Sequence, residues 1–158
     1  MARYGAELFW TREGADFQGK RYSRRHTLRF DGGLEIPASA SPTTVPEPMS
    51  DASALDPEEA FVASLASCHL LWFLAVAAEQ GFCVDSYRDR PTGALDRGAD
   101  GRLAITKVVL RPEVVFSGDS RPTAEKIREL HGLAHERCFI ANSVKTVVRC
   151  EPLLLDGC

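Results

Sequence analysis

An α+β fold is predicted from three features of the sequence. Alternating apolar residues mark strand candidates on both sides of the chain's middle. Nineteen residues from Ala60 to Ala78 (AFVASLASCHLLWFLAVAA) are apolar all round, broken only by Ser64, Ser67 and His69. Strands and helices do not alternate in the regular βαβ manner of a parallel sheet. A helix without a polar face must be covered on every side, and sheets are the expected cover. The 158 residues suit one domain spanning 1–158, with a core that needs no disulfide or metal to exist. Apolar residues make up 44% and charged residues 26%, the balance of a globular chain, and a net charge of −3 removes the electrostatic case for a nucleic-acid partner.

The elements follow in order. Tyr4–Trp10 alternates as a strand, Arg12–Lys20 reads as a turn, and Arg21–Phe30 is a second strand. Asp31-Gly32-Gly33 signals a hairpin returning through Leu34–Ala38. Ser39–Asp56, with Pro42, Pro46 and Pro48, is a long connection without periodicity, a length more often functional than accidental in a compact domain. The central helix then has Asp56 as N-cap, Pro57 at its first position, Glu58 and Glu59 where the macrodipole favours carboxylates, and Gly81 past its end. It approaches the length of a membrane span. An internal His, a soluble-type cap, flanking acids including Glu79 and no Lys/Arg cluster make it a core helix instead, with no membrane partner. Cys83–Tyr87 reads as a short strand, Arg88–Arg102 as a polar, turn-rich stretch, and Leu103–Phe116 as a strand with Pro112 at a bulge or edge. A second helix opens at Ser120–Pro122, with Ala124, Ile127, Leu130, Leu133/Ala134 and Cys138 along its buried stripe. Asn142-Ser143 is a turn and Val144–Cys150 a final strand. Met1–Gly5 lacks a basic start followed by an apolar run, so a cytoplasmic location is expected.

Five cysteines (Cys68, Cys83, Cys138, Cys150, Cys158), an odd number without C-x-x-C, make neither a disulfide framework nor a zinc ribbon. Read alone, Cys68 is a buried small hydrophobe, and Cys138 marks a helix end. Both lie on core-facing sides of helices, and two cysteines with Cα atoms within about 6 Å can form a disulfide reversibly. Cys83 and Cys150, in strands, and the terminal Cys158 read as structural. A reactive thiol needs a cation to offset burial, and Arg12, Arg21, Arg24, Arg25 and Arg29 are the supply. A carboxylate would fix such an arginine in place, and Glu58 is a candidate. Ten helical residues put Glu58 about 80° round and about 15 Å along the axis from Cys68, so an arginine would have to bridge them. Read alone, Glu58 simply complements the helix dipole.

Asp56-Pro57-Glu58-Glu59 leading to Ala66-Ser67-Cys68, with Cys138 some seventy residues on and a final strand after it, resembles the signature of the OsmC/Ohr family of osmotically inducible and organic-hydroperoxide-resistance proteins. The resemblance covers nearly the whole chain. It implies an intertwined homodimer in which curved antiparallel sheets wrap two long central helices, so that a partner subunit covers the apolar helix. It also implies a cysteine-based hydroperoxide reductase acting in oxidative stress defence, with Cys68 as nucleophile, Cys138 as resolving thiol and Glu58 as orienting carboxylate. The activating arginine is Arg29, in the pair Arg29-Phe30, with Arg25 in reserve. The substrate is then an organic hydroperoxide, the reductant a dithiol of the lipoyl type, and no metal, flavin or nucleotide cofactor is called for. Asp56 in place of the usual Asn, His69 after the nucleophile and the long Ser39–Asp56 segment mark a side branch.

Two other classes fit the same residues. His131 and His135, four apart on a helix, with Cys138 three further on, offer a zinc or copper site. A non-catalytic dimer binding apolar ligands between its helices would leave Cys68 merely lining a pocket.

Overall fold

The computed structural model describes residues 1–154, so the expectation for Cys158 falls outside the described residues. The chain falls into two compact units, Met1–Ala60 and Phe61–Cys158.

The N-terminal unit is a three-stranded antiparallel sheet of β1 (Ala6–Phe9), β2 (His26–Phe30) and β3 (Glu35–Ala38) in sequence order. The Asp31-Gly32-Gly33 hairpin forms as expected. Gly33 takes φ +84, a left-handed conformation that favours glycine, and Phe30 and Leu34 pair across the turn. Arg21–Arg25, expected to be strand, is loop. The Arg24 guanidinium donates to the carbonyls of Lys20 and Tyr22 and lies 3.9 Å over the Tyr22 ring, which folds the segment back on itself. Trp10, Phe17 and Tyr22 cluster there, Phe17 and Tyr22 stacked at 4.7 Å. The long connection closes into a compact loop of the Ω kind, because Leu55 bridges Ala38 at its two ends. Inside it the buried Ser39 hydroxyl accepts from the Asp51 amide, and Asp51 pairs with Arg25.

Helix α1 (Pro57–Glu79) begins with a reciprocal cap: the Glu59 amide donates to Asp56 Oδ1 at 2.7 Å and the Asp56 amide to Glu59 Oε2 at 3.4 Å. It ends in a left-handed Gly81, φ +78, with the Phe82 amide reaching back to the Ala77 carbonyl. The helix is not covered all round within the chain. Leu65, His69, Phe73, Val76 and Ala77 are buried, whereas Ala63, Ser67, Leu71, Leu74 and Ala78 form an exposed stripe on the opposite side.

The C-terminal unit carries two further sheets. Strand β4 (Cys83–Arg88) pairs antiparallel with β7 (Glu113–Ser117), and β5 (Thr92–Arg97), β6 (Leu103–Leu110) and β8 (Val147–Cys150) form a second sheet in that order. Two expectations change here. Arg88–Arg102 contains β5, which is exposed along its whole length and so carries no apolar alternation to announce it. Leu103–Phe116 is two strands in different sheets, divided at Arg111-Pro112, since proline cannot donate to a ladder. The pair β6 and β8 runs parallel, an exception to the antiparallel expectation. Gly93 in β5 has no room for a side chain, because a Cβ there would lie 2.7 Å from Val62 on α1.

Helix α2 (Ala124–Arg137) is capped by Thr123, whose side chain accepts from the Lys126 amide, one to three residues later than the expected start. Its buried stripe of Ile127, Leu130, His131 and Ala134 meets Phe73, Val76 and Ala77 of α1 and Val114 and Phe116 of β7 in one apolar cluster. Leu65, Val108 and Leu110 make a second.

Candidate functional site

Cys68 lies in the middle of α1, half-buried, and Cys138 ends α2 at 1% exposure. Cys138 leaves the helix in an extended conformation (φ −70, ψ 108). Both cysteines are free thiols, and Cys68, seventy residues earlier in the sequence, lies close enough to Cys138 to act on its thiol. Burial, then the neighbouring Cys68, pushes the Cys138 thiol up to about 11. At neutral pH Cys138 therefore keeps its proton. The Ala141 amide, 3.4 Å from Cys138 Sγ, opposes that shift.

The surroundings hold this contact. One turn beyond Cys68, Trp72 meets Phe139 edge-to-face at 5.4 Å, and the Arg137 guanidinium lies 5.8 Å over the Trp72 ring while pairing with Glu79 at 2.8 Å. The residues on either side of Cys138 are thus fastened to the α1 turns that follow Cys68.

Glu58 is half-buried in the first turn of α1, and its Oε2 has no hydrogen-bond partner among the described residues. Arg29 and Arg25 are both placed on other carboxylates. Arg29 donates to Glu35 at 2.6 Å and to Glu7 at 3.2 Å, and Arg25 pairs with Asp51. Strand register explains the Arg29 pairs, since Glu7 and Glu35 stand directly opposite it on β1 and β3. The hydrogen bond and charge of Glu35 raise the Arg29 pKa further above its already high value.

The three ligands considered for a metal on α2 do not converge. Among the described residues His131 instead joins His69 of α1 and Cys150 of β8. His69 Nε2 and His131 Nδ1 are 3.0 Å apart, Cys150 Sγ is 3.6 Å from His69 Nε2, and the imidazoles are 1% and 2% exposed. Burial lowers the His69 pKa to about 4, helped by the charge of His135, and lowers that of His131 to about 3, helped by His69. Sequence reasoning missed this cluster. The available signal was a histidine on the buried face of each helix, next to the apolar residues and not among the surface ones.

The sequence model for "OsmC-like protein" matches residues 50–152. Among solved structures, an OsmC-like protein of unknown function from Vibrio cholerae is 51% identical, with a TM-score of 0.95, over 97% of this chain and all of that one. The organic hydroperoxide resistance protein OsmC of Legionella pneumophila is 16% identical with a TM-score of 0.71, covering 98% of each chain. The organic hydroperoxide resistance protein OhrB of Bacillus subtilis is 23% identical with a TM-score of 0.62, over 95% of this chain and 98% of that one. These last two likenesses concern the fold. No curated protein matches the chain.

Proposed function

The chain belongs to the OsmC-like protein family, and from that membership we propose that it is a cysteine-based peroxidase of oxidative stress defence, reducing organic hydroperoxides and, less well, hydrogen peroxide. The observation that carries the proposal is the closeness of Cys68 to Cys138, two free thiols from different helices, one of them held protonated by burial and by its neighbour. That two fold relatives are named organic hydroperoxide resistance proteins supports the substrate class.

In the proposed cycle the Cys68 thiolate attacks the distal oxygen of ROOH. The O–O bond breaks, sulfur is oxidised to the sulfenic acid, and the alkoxide leaves as ROH after taking a proton. The Cys138 thiol then attacks the sulfenic sulfur, a disulfide forms and water is expelled. An external dithiol, of the lipoyl type, restores both thiols by exchange and is itself oxidised to a disulfide. Glu58, with one buried carboxylate oxygen unpartnered, is suited to orient a guanidinium toward the nucleophile. Assigning that guanidinium to Arg29 requires it to exchange Glu7 and Glu35 for Glu58. The same holds for Arg25 and Asp51. The exposed apolar stripe of α1, with Leu71 and Leu74, supports a homodimer in which a second copy covers it. A reduced thiol pair suits the cytoplasm.

Stopped-flow titration with cumene hydroperoxide and with hydrogen peroxide, followed by mass mapping, tests the proposal. One equivalent of the organic peroxide should consume the two thiols and yield a Cys68–Cys138 disulfide, and Cys68→Ser should abolish turnover. Oxidation confined to other cysteines, with this pair intact, overturns it.

A further inference from the structure

We propose that His69, His131 and Cys150 form a binding site for a zinc-class divalent cation, with the fourth coordination position facing a cleft. The three donor atoms come from three elements of the C-terminal unit, α1, α2 and β8, and all lie within 4.8 Å of one another. Zinc takes imidazole nitrogen at about 2.0–2.1 Å and thiolate sulfur at about 2.3 Å, so a tetrahedral ion asks for roughly 3.4 Å between nitrogens and roughly 3.6 Å between nitrogen and sulfur. The structure has 3.0 Å between the nitrogens and 3.6 Å from His69 Nε2 to Cys150 Sγ, and the remaining pair, His131 and Cys150, lies within 4.8 Å. Opening the nitrogen pair by a few tenths of an ångström admits the ion, and two imidazoles with one thiolate are a donor set suited to zinc over harder cations.

Both imidazoles are in the form a metal needs. Burial keeps them neutral at pH 7. In their 3.0 Å hydrogen bond one inner nitrogen donates to the other, so as an ion binds that imidazole must move its proton to its outer nitrogen, His69 Nδ1 or His131 Nε2, neither of which has a partner among the described residues. Both lone pairs can then point at the ion. Cys150 resists, because burial, with Asp89 and Glu151 adding to it, pushes its thiol up to about 12. Cation binding must therefore expel the Cys150 proton, one per ion bound, and affinity rises with pH. The exit and entry route is an open cleft of about 610 Å³, where His131 and Cys150 are lined up with His135, Arg128 and Glu151. A three-ligand site facing a cleft leaves room for water or an exogenous donor, as in sites that act on a ligand and unlike closed four-ligand structural sites.

The inference is independent of the peroxidase reading, since it uses neither Cys68 nor Cys138. The test is titration of the full-length, chelator-treated, reduced protein with Co²⁺. One equivalent should produce the intense d–d bands of tetrahedral cobalt with a near-ultraviolet sulfur-to-cobalt charge-transfer band, and Zn²⁺ should displace both. Cys150→Ser should lose the charge-transfer band. His131→Gln should weaken binding by at least the 10–100-fold or so typical for loss of a mere outer-shell partner. The Cys68→Ser/Cys138→Ser double variant should keep the spectrum. Absence of the bands in the unsubstituted protein overturns the proposal, as does their survival in Cys150→Ser or their loss in the double variant. Far-UV circular dichroism checks that each variant folds, and if Cys150→Ser does not, an unchanged affinity in His131→Gln overturns the proposal equally.

Discussion

A buried imidazole is stable as long as it stays neutral, and the cost of protonating it appears as a dependence of folding on pH. In metal-free protein, His69 and His131 bind a proton only near pH 4 and pH 3, against about 6.5 in an unfolded chain. Between those limits the unfolded chain holds more protons than the folded one. The stability they contribute is therefore full above about pH 6.5 and is lost as pH falls toward 4. Urea denaturation at a series of pH values should show this decline, and His131→Gln should make it shallower. The thiols allow a second prediction. With Cys138→Ser, the proposed sulfenic acid on Cys68 has no resolving thiol, so one equivalent of cumene hydroperoxide should leave a dimedone-reactive Cys68 and sustained turnover should fall to background. Labelling by dimedone and mass spectrometry reads the outcome.

At the scale of the element, α1 combines a strong start signal with weak internal direction. Asp56, 9% exposed, satisfies the Glu59 amide and receives the Glu59 carboxylate in return. Asp56→Ala should cost about 1 kcal/mol of stability, read as a lowered denaturant midpoint. Phe73, fully buried, stacks on His131 at 4.2 Å and meets Phe116 edge-to-face, and it anchors the cluster that joins α1, α2 and β7. Phe73→Ala should cost about 3–5 kcal/mol, because the surrounding helices and strand cannot fully collapse into the space left. The elements hardest to foresee were those without apolar contrast. β5 has no buried residue, and the break between β6 and β7 rests on Pro112, which a bulge explains equally well from sequence. Ladder partners decide both, and ladder partners are distant in the chain.

Across the whole molecule, the same apolarity that makes α1 legible leaves its covering open. Leu71 is 64% exposed and Leu74 38% exposed, in line with Ala63, Ser67 and Ala78. If a second copy covers this stripe, as proposed, Leu71→Asp should shift the protein from dimer to monomer, and light scattering coupled to size-exclusion chromatography measures it. A dimer unaffected by that charge would place the subunit contact elsewhere. The amino-acid sequence alone determined the α+β class, the α1 start at Asp56-Pro57, the β2–β3 turn and the family, because capping, glycine conformation and motif spacing are local properties. It also singled out Cys68 and Cys138. Only the tertiary structure decided that Cys68 lies close enough to act on the Cys138 thiol, that Arg29 stands between Glu7 and Glu35, and that His131 joins His69 and Cys150. Such contacts depend on strand register and helix rotation, which are set by packing between segments many residues apart and leave no trace in any short window of sequence.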